Sequence, residues 1–274
     1  GRRWSEPVVV AKGQGSGNDA KCGYGDPSLT VGKDGRLYCL FAAGNTGYFY
    51  GLNRICMSTS DDNGQTWSEP VALKETGRIK DHTQYGLFDY FVTSGKGLYT
   101  NDGVLMYLLP GQCYTDEKQT GHISNSNDYV FYSTDDGETW HISREVVFTG
   151  GDEAKLEQTD DGRLIASVRR AGARGFNFGT YTKNTDGTLT FKWGTQSTNS
   201  QLSQQSANNQ DIIYYARPKD GGQDVILHTM TTGAHKNLKL YKSTDQGKKW
   251  EEVMQVQAGG SRYVVMTVLE NGRS

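Results

Sequence analysis

Apolar residues in this chain gather into short runs, such as Arg36-Leu-Tyr-Cys-Leu-Phe41 and Val104-Leu-Met-Tyr-Leu-Leu109, separated by glycine-bearing turns. Runs of this length bounded by turn residues predict strands with apolar side chains on both faces. The turns themselves recur as Asp34-Gly35, Asp102-Gly103, Asp161-Gly162, Asp220-Gly221 and Asn271-Gly272. An Asx-Gly pair between two such runs predicts a hairpin. The pairs recur at spacings of roughly 50 to 70 residues, which marks a repeated unit.

A second phrase repeats between the hairpins. Ser60-Asp-Asp62-Asn-Gly64-Gln-Thr-Trp67, Ser133-Thr-Asp135-Asp-Gly137-Glu-Thr-Trp140 and Ser243-Thr-Asp245-Gln-Gly247-Lys-Lys-Trp250 share the pattern Ser-x-Asp-x-Gly-x-x-Trp. The chain opens on the tail of the phrase at Trp4, and Asn184-Thr-Asp186-Gly187 running on to Trp193 reads as an eroded copy. Together these use all five tryptophans. The aspartate can accept backbone N–H bonds in a tight turn, and the glycine supplies a positive φ. The tryptophan offers a large apolar face to a neighbouring sheet, so the phrase is read as a folding staple.

Each period therefore holds a strand, an Asx-Gly turn, two further strands, a box and a last strand. That is a four-stranded antiparallel meander, the blade of a β-propeller. A blade cannot cover both of its own apolar faces, so blades must stack around an axis. The expectation is an all-β, six-bladed propeller, here incomplete, with about four full blades plus parts of two others. At roughly 60 residues per blade a six-bladed ring needs about 360 residues. Residues 1–274 are read as a single propeller catalytic domain truncated at both ends, a complete four- or five-bladed ring being the alternative. Loops longer than the period requires, at Gly13–Gly25, Asp81–Ser94, Gly111–Asn127 and Gly194–Asn209, are candidate binding loops.

Composition narrows the function classes. The 274 residues include 35 glycines and 35% hydrophobic residues, with a net charge of -2. A pI near 6.2 and the lack of a basic block argue against nucleic acid. No apolar stretch is long enough to span a membrane. The cysteines Cys22, Cys39, Cys56 and Cys113 lack zinc-ligand spacing. Cys39 and Cys56 fall in consecutive strands, where they are either packed thiols or a bridge.

The hairpins supply a register for candidate chemistry. Asp26, Ser94, Glu153, Ile212 and Tyr263 each lie eight residues before a turn Asp or Asn. If the first strand of each blade is innermost, all five sit at one mouth of the channel. Pairing about the Asp161-Gly162 turn places Arg169 beside Glu153. An acid, a phenol and a guanidinium then converge on one concave site. Taken singly, each has a plainer reading: an ion pair for Glu153 and Arg169, packing for Tyr263, and a turn or strand cap for Asp26.

The boxes resemble the Asp-boxes of the sialidase (neuraminidase) family. Gly25-Asp26-Pro27-Ser28, Asp152-Glu153-Ala-Lys155, Asp161 through Arg169, and Gly260-Ser-Arg-Tyr263 through Gly272 are similar to that family's successive blades in order. The resemblance covers nearly the whole chain and implies an exo-α-sialidase of the retaining type that uses a tyrosine nucleophile. Sialic acid carries a carboxylate on its anomeric carbon, which repels an anionic nucleophile but not a neutral phenol. Tyr263 would be that nucleophile and Glu153 its base, with Arg169 one arm of the cluster that clamps the substrate carboxylate. Where the family has a third clamp arginine this sequence has His235, followed by Lys236. Arg174 or Arg262 could supply charge instead. Gln210, in Asn209-Gln210-Asp211, resembles a substrate-contacting segment, and Asp26 is assigned to substrate binding.

The family's Arg-Ile-Pro arginine and its general-acid aspartate have no counterpart in these residues, so this stretch alone is expected to be inactive. The resemblance implies no cofactor, a sialylated glycan as partner, and a secreted, periplasmic or cell-surface location. A calcium held by loop carboxylates stays open. So do a hydrolase for a different sugar and a non-catalytic glycan-binding propeller.

Overall fold

A computed structural model describes residues 4–13, 23–44, 54–80, 87–114, 122–203, 208–215 and 224–268. The apolar runs form four antiparallel sheets, the blades of a β-propeller. In the first, strands Gly23–Val31, Leu37–Gly44, Arg54–Ser60 and Val71–Ala72 follow one another outward. The third runs Ala154–Gln158, Leu164–Val168, Ala173–Lys183 and Leu189–Trp193, with Ser197–Ser203 added to its third strand. The fourth runs Ile212–Tyr215, Val225–Gly233, Lys236–Ser243 and Glu251–Gly260.

The second blade departs from the regular meander. Its long strands Leu105–Tyr114 and His122–Ser133 pair as expected, but the inner strand is broken. Leu87–Tyr90 and Leu98–Tyr99 both pair with Leu105–Tyr114, while Gly95–Lys96 between them leaves to pair in parallel with Gly23–Val31 of the first blade. Glycine permits this crossing. A Cβ on Gly97 would lie 2.4 Å from both Thr30 Oγ1 and Tyr107 Cε1. Gly97→Ala is therefore expected to cost about 1–3 kcal/mol by overpacking, measured as a lower urea midpoint at unchanged slope.

Alternation along the strands fills the spaces between blades. Leu105, Tyr107 and Leu109 pack with Tyr38, Leu40 and Met57 of the first blade. Their sequence neighbours Val104, Met106 and Leu108 pack with Leu156, Leu164 and Ala166 of the third. A period of two thus buries both faces of one strand against different neighbours. Ile165 and Phe176 meet Ile226, Met230 and Trp250 in the third interblade core.

The three intact boxes share one geometry. In each, the glycine N–H donates to the serine Oγ, at 2.9 Å for Gly64 to Ser60, 2.9 Å for Gly137 to Ser133 and 2.8 Å for Gly247 to Ser243. The aspartate Oδ1 accepts the backbone N–H four residues on, at 2.9 Å in all three. The indole Nε1 of Trp67, Trp140 and Trp250 donates back to the glycine carbonyl at 3.2, 3.0 and 3.1 Å. Two successive residues take positive φ, the second always glycine.

The eroded copy is a different object. Asp186 Oδ1 accepts from Thr188 N and Oγ1 at 3.0 and 2.6 Å, in the tight turn of an ordinary hairpin. Trp193 lies six positions after Gly187, rather than three, so the indole lies in the next strand and cannot reach back to close a box. Trp4 is exposed. Cys39, Cys56 and Cys113 are buried free thiols, and Cys22 lies outside the described residues. The Asp220-Gly221 and Asn271-Gly272 turns also lie outside them, as do parts of all four long loops.

Candidate active site

The innermost strands of the blades bring polar side chains together at one end of the channel. Glu153 immediately precedes Ala154–Gln158, and Arg169 immediately follows Leu164–Val168. The hairpin register sets them opposite each other, with Arg169 N donating to Glu153 O at 2.9 Å. Arg169 Nη1 donates to the Glu153 carboxylate, which is only 2% exposed. Asp152 Oδ2 lies 3.6 Å from Arg169 Nε, while its Oδ1 accepts Glu153 N at 2.8 Å.

Tyr263 reaches the same place from beyond the fourth blade. It is half exposed, and its φ of 53° is unusual for so bulky a residue. Its proton is held above the ordinary range by burial, then by the charge of Glu153, while the nearby Arg169 guanidinium pulls the other way. Among the described residues no hydrogen bond joins Glu153 directly to Tyr263. Arg169 bonds Glu153 and acts electrostatically on the phenol.

Asp26 completes the set. Between Gly25 and Ser28 the register of the first hairpin slips, so Asp26 and Pro27 form a bulge, with Asp26 at φ 47°. Bulges re-aim side chains, and a proline is tolerated there because no ladder bond is needed. Burial followed by the nearby Glu153 pushes the Asp26 pKa up to about 6. The folded state thus holds this proton more tightly than the unfolded chain does. The associated stability is full below the ordinary 3.8 and is lost as pH rises through about 6. Asp26→Asn is expected to flatten that slope, so unfolding midpoints of variant and parent should diverge in the variant's favour from pH 4 to pH 7.

Beneath these groups lies a buried polar layer of which motif reading singles out only Arg174, as a candidate source of charge for the clamp. Lys155 Nζ donates to Ser94 O and, at 3.1 Å, to Asn209 Oδ1. Burial pushes its pKa down to about 8. Its position two residues after Glu153 was the available signal, because a strand returns to the same face every second residue. Lys96 Nζ donates to Glu157 Oε1 at 2.6 Å and to Ile212 O at 2.8 Å, tying three blades at the axis. Arg174, fully buried, donates to Ser167 Oγ at 2.8 Å, Ser167 O at 3.1 Å and Asn208 O at 3.0 Å.

The remaining sequence candidates are placed differently. Gln210 is sealed from solvent, with Nε2 donating to Thr231 Oγ1 at 3.2 Å, so in this arrangement it faces the interior rather than a sugar. His235 occupies the turn between Val225–Gly233 and Lys236–Ser243 with φ 52°, and its carbonyl accepts Ser261 N at 2.8 Å. Lys236 is exposed at the start of the next strand and pairs in register with Gly260. The turn is thus fastened to the segment that carries Tyr263 through its backbone.

The BNR repeat-like domain family matches residues 1–273. This chain belongs to that family. The BNR repeat-like chain is 24% identical over 288 aligned positions to a sialidase of Micromonospora viridifaciens, covering 99% of this chain and 42% of the relative. It is 27% identical over 156 residues to a sialidase of Clostridium perfringens, covering 53% of this chain and 38% of the relative. Among solved structures, a Hadza microbial sialidase superposes with a TM-score of 0.68 at 22% identity, covering 87% of this chain and 46% of that one. Trypanosoma rangeli sialidase, in complex with 2,3-difluorosialic acid, gives 0.62 at 18% identity over 86% of this chain and 39% of that one. The structural matches bear on the fold. The BNR repeat-like chain spans less than half the length of each of these relatives. Among its described residues no helix is long and apolar enough to cross a membrane.

Proposed function

We propose that this chain forms part of the catalytic propeller of a retaining exo-α-sialidase, a glycoside hydrolase that removes terminal sialic acid from glycans outside the cytoplasm. The observation that carries the reading is the meeting of Glu153, Arg169 and Tyr263 at one opening, with Asp26 beside them. In the complete protein a six-bladed ring would cover apolar residues now exposed on the first and fourth blades, among them Leu29, Val31, Val253 and Val256.

The chemistry follows from the contacts. The Tyr263 oxygen attacks the anomeric carbon, forming a glycosyl-tyrosine bond as the glycosidic C–O bond breaks. The phenol's proton passes to Glu153, and the leaving oxygen takes a proton from an acid outside the residues assigned here. Water then attacks the anomeric carbon, giving one proton to the conjugate base of that acid, as the tyrosine oxygen leaves and takes back the proton held by Glu153, restoring the phenol with the anomeric configuration retained. Arg169 already bonds Glu153 and lies near enough to the phenol to act on its ionisation. A substrate carboxylate arriving at this guanidinium would exchange one ion pair for another and free Glu153 to act as base.

The test is turnover by the intact protein of an α-sialoside bearing a fluorogenic leaving group, beside neutral glycosides with the same leaving group. Release from the sialoside alone is expected. Preference for a neutral sugar, or sugar binding without release, would defeat the reading.

A further inference from the structure

Four consecutive polar residues, Asn208, Asn209, Gln210 and Asp211, are each at most 1% exposed. A run of this kind is costly to bury unless every member finds partners. Between them they reach Ser94, Thr231 and the segment 261–266. Asn209 Nδ2 donates to Ser94 O at 3.1 Å and to Ser94 Oγ at 3.0 Å, and Gln210 bonds Thr231. Asn208 Nδ2 donates to Ser261 O at 3.2 Å and to Thr231 Oγ1 at 3.4 Å. Asp211 Oδ2 accepts Met266 N at 2.6 Å, and its Oδ1 accepts Ile212 N at 2.9 Å.

Ser261 and Met266 flank Tyr263. Residues 261–268 belong to no strand, so no sheet ladder fixes their backbone. Tyr263 nevertheless holds a left-handed φ of 53°. Such a conformation persists only where the surroundings over-determine it. Besides the bond from Ser261 N to His235 O, the surroundings here are Asn208 on one side and Asp211 on the other, with the Asn208 carbonyl itself held from behind by Arg174 Nη1 at 3.0 Å.

We propose that residues 208–211 are a positioning clasp, in which Asn208 and Asp211 pin the backbone on either side of Tyr263 and thereby hold its phenol against Arg169 and Glu153. The catalytic consequence rests on the functional reading above, whereas the clasp itself does not. Asn208 and Asp211 touch no reacting atom and act through the segment that bears the phenol.

Asn208→Asp keeps the side chain's shape but turns the donor facing Ser261 O into an acceptor. The intact protein carrying N208D is compared with the parent by amide hydrogen exchange and by steady-state release from the fluorogenic sialoside. Exchange across 261–268 is expected to quicken by about tenfold, since a buried bond worth roughly that factor is lost. In the intact enzyme kcat is expected to fall on the order of 10²-fold with KM within about twofold, as for a misplaced reacting group. Unchanged exchange across 261–268 overturns the clasp. Faster exchange with parental kcat upholds the clasp and instead counts against Tyr263 as nucleophile. The exchange arm needs no turnover, so it decides the clasp by itself. Should N208D not fold, Asn208→Ser removes the same donor, and the same two readouts apply.

Discussion

Tyr263→Phe and Glu153→Gln are each expected to remove most sialoside turnover, yet to leave different pH profiles. The phenylalanine variant has no nucleophilic oxygen, so its loss should persist at every pH. The glutamine variant keeps the oxygen and loses the base, a change that typically costs about 10²–10⁴-fold in rate. It also removes a negative charge that holds the phenol's proton on. The Tyr263 phenol should therefore ionise more readily in Glu153→Gln than in the parent, and the deficit should shrink as pH rises toward that ionisation. Both profiles come from kcat measured between about pH 5 and 10 on the intact protein. Parental rates in both variants, or identical profiles for the two, would remove the phenol and carboxylate from the mechanism. Because Arg169 remains in both variants to receive the substrate carboxylate, KM should rise in neither variant as much as kcat falls.

What was legible in the sequence was what depends on local chemistry or on counting from a turn. The boxes could be read because serine, aspartate and glycine close the same loop wherever they occur at that spacing. The pairing of Glu153 with Arg169 could be read because a hairpin register is fixed by its turn, and the two residues do meet across it. Other features depend on chain segments far apart in sequence. Nothing in Gly95-Lys96-Gly97 announces that it leaves its own blade, since the cause is the crowding of Thr30 and Tyr107 against a glycine. Asn208–Asp211 reads as the end of a polar loop, yet it is buried because three separate partners, Ser94, Thr231 and the 261–266 segment, converge on it. The Asn184–Trp193 stretch shows the opposite error. It keeps the letters of a box, but the spacing that would let the indole return is gone.

The boxes also differ in what they hold together, and Trp140→Ala should show it. Trp140 is fully buried, stacks on Phe131 with centroids 4.7 Å apart and an 11° tilt, and packs into the core shared by the first two blades. Truncating a buried tryptophan removes its transfer energy and leaves a cavity that rigid strands on both sides cannot fill, a loss of about 3–5 kcal/mol. That is a large share of the stability of an ordinary domain, so a markedly lower urea midpoint by circular dichroism is expected. Trp67 makes the same bond to its own glycine but is only partly buried against the outer face of the first blade. Trp67→Ala should therefore cost less, roughly 1–2 kcal/mol, although the local box geometry is identical. Equal losses in the two variants would mean that the turn itself supplies the stability. A larger loss at Trp140 would mean that the staple works by what its indole reaches across the blade interface.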